Sequence, residues 1–388
     1  MEKFIPLSVP NIKGNEIKYV TEALETEWVS TGGAMISKFE ENIANYVHAK
    51  GAVACQSGTS GLHLALHYLG VGKDDIVIVP TLTFIAAVNP VRYEFAEPIF
   101  MDCDDSLCMD PNKLRKFLNE ECTCDGNLVK YKDKVIKTII VVHVFGNMAD
   151  MESIMDIANE FHLNVIEDAT EALGTYYTEG KYKGRYAGTI GNIGVYSFNG
   201  NKIMTTGGGG MVVSNDEKAL DMIRYYSTQA KDDTANFIHN EIGYNYRMTN
   251  IQAAIGLAQL EKLEEFIHIK NTNYHLYKEA FKDIEGMEII EFRKDIRSNK
   301  WFYSLLLDSE MYCKNEFIIH LKEHQIQSRP IWGLISEQKP YAKYKAYEIE
   351  KAEYYFNRVV NIPCSTNLTK AEIEYVIDVI KKTMKKVI

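Results

Sequence analysis

Seven short apolar runs punctuate the first 215 residues, and helix-length stretches separate several of them. GAVACQ (51–56), DIVIVP (75–80), EPIFMD (97–102), KTIIVVHVFG (137–146), LNVIEDA (163–169), IGVYSF (193–198) and GMVVSN (210–215) are rich in β-branched residues and bounded by turn formers, so they read as buried strands. Between them, SGLHLALHYLG and DMESIMDIANEFH repeat apolar residues every three or four positions, the period of a helix with one buried face. Strands alternating with helices predict an α/β domain built on a largely parallel sheet.

From Thr249 the pattern changes. TNIQAAIGLAQLEKLEEFIHIKNTNYHLYKEAF reads as one long helix with Ile251, Ala254, Ile255 and Ala258 on a shared face. WFYSLLLD follows as a strand, and a last helix is expected near 369–385. The division falls near residue 250: a large domain over 1–250, with an N-terminal arm, and a smaller C-terminal α+β domain over 251–388.

In an α/β sheet, ligands gather at the carboxyl ends of the strands, so the residues after each apolar run are the candidates. Ser57-Gly58-Thr59-Ser60-Gly61 opens a helix and suits either a phosphate or a plain helix cap. Phe84 follows the second run as an aromatic face or as a core residue. Asp168 ends a buried strand, with Glu171 three residues on. A buried carboxylate needs a cationic partner, which can be a protein side chain or a protonated ring nitrogen. Lys202 follows IGVYSF and precedes four consecutive glycines, 207–210. A phosphate-binding P-loop sets its glycines before the lysine, so here the order excludes that motif. A lysine, a strand-end aspartate, an aromatic face and a phosphate cup are the parts that hold pyridoxal phosphate.

Six segments in order, SGTSGLHLAL, VPTLTFIAAVNPV, EDATEALG, SFNGNKIMTTGGGGMV, GYNYRMTNIQAAIGLAQLE and SRPIW, resemble the DegT/StrS sugar-nucleotide aminotransferases. These are pyridoxal phosphate enzymes of fold type I: a mostly parallel sheet flanked by helices, plus a smaller α+β domain. The resemblance implies that Lys202 bonds to the cofactor and moves the proton, Asp168 pairs with the pyridinium nitrogen, Phe84 stacks on the ring and Glu171 lies near the phenolic oxygen. Gly58, Thr59, Ser60 and Ser197 would hold the phosphate. Asn245 of GYNYR would reach the phosphate of a neighbouring subunit, implying a homodimer with shared active sites. Trp28 and Arg329 are candidate substrate contacts, Arg329 for a diphosphate or for the carboxylate of L-glutamate.

The implied reaction moves an amino group from L-glutamate to C4 of a nucleotide-linked 4-keto-6-deoxy sugar, with UDP-4-keto-6-deoxy-N-acetylglucosamine preferred and a GDP-linked sugar as the alternative. Gly208 stands where the family commonly has glutamate, a variant similar to a LegC-like subgroup near legionaminic acid synthesis. Relatives with histidine in place of the lysine dehydrate sugars instead; here the lysine is kept. An amino-acid lyase and a catalytically silent binding protein are the other readings.

Hydrophobic residues make up 46% and charged residues 25%, a globular balance that excludes disorder. The net charge of −10 argues against a nucleic-acid surface. No stretch has the length and apolarity of a membrane helix, and the N-terminus lacks an apolar leader, so a cytoplasmic location without membrane contact is expected. Seven cysteines show no metal-ligand spacing, and no metal is expected at His63 and His67 or at His143 and His162. Tyr176, Tyr177, Tyr182 and Tyr186 could stack on a nucleotide or serve no function.

Overall fold

The computed structural model describes residues 4–383. All seven expected strands form, and they lie in one sheet. Across it the order is Gly51–Cys55, Gly210–Ser214, Ile193–Ser197, Asn164–Asp168, Lys134–Val142, Asp75–Pro80, Glu97–Met101 and finally Ala346–Tyr347. From Ile193–Ser197 to Ala346–Tyr347 every pairing is parallel. Helices cover the sheet, which is why these strands read as continuous apolar runs rather than as alternating ones.

Gly210–Ser214 alone along this path runs antiparallel, between Gly51–Cys55 and Ile193–Ser197. Its reversed direction brings the glycine run at its start to the edge where its two neighbours end: Gly210 pairs with both Cys55 and Ser197. A Cβ on Gly210 would lie 2.5 Å from the carbonyl oxygen of Ser57. Glycine is what lets the strand pass beside the helix start at Ser57.

A hairpin of Thr123–Asp125 and Leu128–Tyr131 extends the sheet against Lys134–Val142. The apolar pattern does not announce it, because Thr123–Asp125 is wholly exposed. A second, antiparallel sheet joins Met287–Ile289, Tyr303–Leu307, Val359–Ile362 and Arg329–Pro330. Ile296–Arg297 pairs with Tyr176–Tyr177, a further seam between the C-terminal part and the large sheet's surroundings.

The single long helix expected from Thr249 is two helices, Asn250–Leu260 and Leu263–Phe281. The first opens with a reciprocal cap between Thr249 and Gln252 and packs on the N-terminal helices Glu16–Glu25 and Ala34–Tyr46. The second packs on the small sheet. The chain turns at Glu261 and Lys262, where its packing partner changes, and Asn15 and Tyr19 both donate to the Glu261 carboxylate. No glycine or proline marks the turn, so the helical period runs through it in the sequence. The last helix is Lys370–Lys381; residues 384 and 385 of the expected span lie outside the described residues. Among the described residues, no helix is long and apolar enough to cross a membrane.

Gly256 faces the ring of the fully buried Phe39, and a Cβ there would come within 2.6 Å of Cζ. Gly256→Ala should therefore lower stability by about 1–3 kcal/mol through overpacking. A urea midpoint equal to that of the wild type would show that the two helices do not pack this closely in solution.

Candidate active site

A cavity of about 390 Å³ opens at the carboxyl edge of the large sheet. Ser57, at the end of the first strand, caps the helix Gly58–Tyr68: its Oγ accepts the Ser60 N–H at 3.1 Å, and Ser60 Oγ accepts the Ser57 N–H at 3.0 Å. The helix cap is thus formed by Ser57 and Ser60. Ser60 is committed to the cap and stays out of the cavity lining, whereas Gly58 and Thr59 line it with first-turn amides that have no partner within the helix. Gly58 admits two neighbours to the same point, since a Cβ there would lie 2.8 Å from Thr170 Cγ2 and 3.1 Å from Ser197 Cβ.

Asp168 enters the cavity from the end of Asn164–Asp168, and 4% of its surface is exposed. Its Oδ1 accepts the Thr170 N–H at 3.1 Å, and among the described residues it has no ion-pair partner within 4 Å. Burial raises its pKa, opposed by the Thr170 hydrogen bonds and by the charge of Lys202. A carboxylate so placed lacks the cation that burial demands, and a protonated ring nitrogen would supply it.

Lys202 follows Ile193–Ser197 on a turn closed by its own N–H donating to the Asn199 carbonyl at 3.0 Å. Its Nζ stands 3.5 Å from Glu171 Oε1 and 4.1 Å from the centre of the Trp301 ring. The Trp301 indole N–H donates to the Asn201 carbonyl at 2.7 Å, fixing that ring against the lysine turn. Burial pushes the Glu171 carboxyl up to about 7, despite the opposing pull of Lys202 and of the Phe145 N–H, which donates to Oε2 at 2.8 Å. Phe84 lines the cavity and is 55% exposed, which rules out the core alternative.

Besides Ser60, three expected site residues lie outside the cavity lining. Trp28 is exposed and borders a separate cavity of about 420 Å³ with Met35 and Asn250. Arg329 is exposed on the small sheet, paired with Asn361. Asn245 is exposed and bridges to Thr228. In return the cavity contains Trp301, Phe302 and Trp332, none of them among the expected residues. Trp332 belongs to SRPIW, the segment that yielded Arg329. Trp301 and Phe302 begin WFYSLLLD and could pass for the start of a buried strand.

Of the four tyrosines, Tyr177 is buried with its hydroxyl donating to the Ala149 carbonyl at 2.9 Å, and Tyr176 packs on Tyr186 with ring centres 5.2 Å apart. His143 is buried; its Nδ1 accepts the Ala149 N–H, which leaves Nε2–H to donate to Glu167 at 2.9 Å. His63 and His67 both face Glu94, at 3.0 and 2.9 Å. Among the described residues, no group of three or more His, Cys, Asp and Glu side chains could hold a metal.

The residues fit pyridoxal phosphate. The free amides of Gly58 and Thr59 with Ser197 would hold its phosphate, Asp168 its ring nitrogen, Phe84 its ring face and Lys202 its carbonyl carbon. Fold and site together define a pyridoxal phosphate enzyme. The pattern of the DegT/DnrJ/EryC1/StrS aminotransferase family matches residues 10–381, and the chain belongs to this pyridoxal phosphate-dependent family. A GDP-perosamine synthase of Escherichia coli O157:H7 is 37% identical over 98% of both chains. A UDP-4-amino-4,6-dideoxy-N-acetyl-beta-L-altrosamine transaminase of Campylobacter jejuni (strain 81-176) is 28% identical over 99% of this chain and 98% of its own. A solved DegT DnrJ EryC1 StrS aminotransferase from Brucella abortus shares the fold with a TM-score of 0.86, at 26% identity over 96% of each chain.

The raised carboxyl of Glu171 links folding to pH. The unfolded chain releases this proton near 4.5, the folded chain near 7, so between these values the folded state binds more protons and stability falls as pH rises. Glu171→Gln removes that loss. In cofactor-stripped protein, the unfolding free energy of the variant from urea denaturation should gain on that of the wild type from pH 5 to pH 8, by up to about 3 kcal/mol. A constant gap across this range would refute the raised value.

Proposed function

We propose that the chain transfers an amino group from L-glutamate to C4 of a nucleotide-linked 4-keto-6-deoxy hexose. The observation that carries this reading is the lysine amine of Lys202, set beside Glu171 and within the field of Asp168 in one cavity. Bound there, pyridoxal phosphate supplies a carbonyl carbon and an electron-accepting ring. The chain supplies the rest: Gly58, Thr59 and Ser197 anchor the phosphate, Asp168 keeps the ring nitrogen protonated, and Lys202 moves the proton between the two carbons that exchange the amine. A lysine at this position favours amino transfer over the sugar dehydration of histidine-bearing relatives.

For the nucleotide, the balance rests on the relatives. The GDP-perosamine synthase shares 37% of its residues with this chain and the UDP-sugar transaminase 28%, which favours GDP over the UDP carrier preferred from sequence resemblance. UDP-4-keto-6-deoxy-N-acetylglucosamine, the substrate of a LegC-like reading, remains the second candidate. Incubating the holoenzyme and glutamate with GDP- and UDP-linked 4-keto-6-deoxy sugars, with mass detection of product and 2-oxoglutarate, decides between them. Amination of UDP sugars alone overturns the GDP assignment; amination of neither overturns the function.

Two variants test the roles. Lys202→Ala should lose transamination by about 10³-fold or more, and borohydride reduction of the wild type should place the pyridoxyl group on Lys202. Asp168→Asn keeps the shape but removes the charge, so turnover should fall far more than the urea midpoint does. Near-normal turnover in either variant contradicts its role.

We further propose a homodimer with composite sites. Asn245 is exposed outside its own chain's cavity, and the loop before it presents Phe237 and Ile242 at 70% and 83% exposure, apolar surface that a second copy would cover. Mixing inactive Lys202→Ala and Asn245→Ala chains should regain activity, because one of the two sites in a hybrid dimer carries neither lesion. An active monomer in sedimentation would exclude the arrangement.

A further inference from the structure

We propose that Glu171 is the proton acceptor for Lys202, converting its ammonium to the amine that bonds to the cofactor's carbonyl carbon. The proposal rests on the reading that Lys202 carries the cofactor. It assigns Glu171 an act on the lysine itself, beyond lying near the cofactor's phenolic oxygen.

The geometry is specific. Glu171 Oε1 is 3.5 Å from Lys202 Nζ, and Lys202 makes no other ion pair within 4 Å among the described residues. The second oxygen, Oε2, is held by the Phe145 N–H at 2.8 Å, so the carboxyl cannot rotate away without losing that bond. Phe145 makes this bond from a left-handed conformation, φ 57° and ψ 18°, which is uncommon for a bulky residue. Its ring is fixed by Trp332, with centres 4.6 Å apart, and by Phe302, at 5.5 Å. Asn299 Nδ2 donates to the carbonyls of Glu171 at 3.0 Å and of Leu173 at 2.9 Å, anchoring the backbone that carries the carboxyl. A strained turn, an aromatic cluster and a buried amide thus converge on the position of one carboxyl group.

The step is balanced. An N–H bond breaks at Lys202 Nζ and an O–H bond forms at Glu171 Oε1, so that a buried ion pair becomes a buried neutral pair and the net charge of the cavity is unchanged. When the lysine is released, the same proton returns. Asp168 is less suited to this exchange, because its carboxylate has no contact with Nζ within 4 Å. The titratable groups acting on Glu171 are Lys202, which favours its charged form, and Asp168, which opposes it. The segment facing the lysine from the C-terminal part contributes the Trp301 and Phe302 rings, which do not titrate and which limit the access of water. Burial lifts the Glu171 carboxyl to about 7, so it can hold the proton near neutral pH.

Cofactor capture measures this step without turnover. Wild type and Glu171→Gln are stripped, mixed with pyridoxal phosphate, and trapped at timed intervals with borohydride; intact and peptide mass give the pyridoxyl content of Lys202. Binding without bond formation is measured with pyridoxine 5′-phosphate, which lacks the carbonyl, by tryptophan fluorescence. Near pH 7 capture by Glu171→Gln should be about 100-fold slower, while its affinity for pyridoxine phosphate stays within about twofold of wild type. The gap should narrow near pH 9.5, where hydroxide takes the proton instead, and Glu171→Asp should restore part of the rate. Equal capture rates at every pH overturn the proposal. So does a loss of pyridoxine phosphate affinity as large as the loss of rate, which would mean that Glu171 only shapes the pocket. Wild type that captures no cofactor on Lys202 would overturn the underlying reading as well.

Discussion

Three ionisable side chains, Asp168, Glu171 and Lys202, are drawn out of water into one cavity, and much of the surrounding structure serves to make that burial tolerable. Two carboxylates and one amine do not balance. Lys202 pairs with Glu171, while Asp168 has the Thr170 amide and the more distant charge of Lys202. The leftover negative charge favours a ligand with a cationic group toward Asp168 and an anionic one toward the helix start, and the pyridinium phosphate of the family's cofactor would meet both demands.

The sheet supplies the positions. Parallel strands place their carboxyl ends along one edge, so Pro80, Val142, Asp168 and Ser197 finish near one another although they are far apart in the chain. The one reversed strand on that path serves the same edge by its beginning: Gly210 lies between Cys55 and Ser197, where any side chain would strike the Ser57 backbone. The glycines after Lys202 therefore do not cradle the phosphate as a P-loop does. They keep the strand close enough for Ser57–Thr59 and Ser197 to share one cup, while Gly207, at φ +80°, turns the chain back into the sheet.

What could be read in the sequence divides along physical lines. The central strands were legible because both faces are buried, which leaves a continuous apolar run; the exposed Thr123–Asp125 hairpin strand left no such trace. The helix break at Glu261 and Lys262 was hidden because it is set by tertiary packing, not by a residue that breaks helices. Asp168, Glu171 and Lys202 stood out because Asp168 ends a strand and the other two lie within a few residues of a strand's carboxyl end. Trp301 and Trp332 did not, since they come from the C-terminal part, which returns to the large sheet only by folding. Arg329 and Trp332 make the contrast sharp: three residues apart, the charged one caught the eye, but the small-sheet edge leaves it exposed, and the chain turns the aromatic one into the cavity against Phe145.

The aromatic wall also explains how the two parts of the chain are held to one site. Trp301 ties its indole to the Asn201 carbonyl, while its own carbonyl accepts from Lys270 Nζ at 2.8 Å. Lys270 is buried, and it also donates to the Cys364 carbonyl at 2.7 Å, whose N–H in turn donates to Leu7 at 2.8 Å. Burial lowers the pKa of this lysine, yet carbonyl oxygens are partners that either its charged or its neutral form can use. A buried cation with carbonyl partners is more costly than a leucine would be, unless the bonds it makes are required. Here they join the N-terminal arm, the long helix Leu263–Phe281 and the segment covering Lys202, so that the wall over the Lys202 amine cannot move without breaking a buried hydrogen bond at each of three places in the chain.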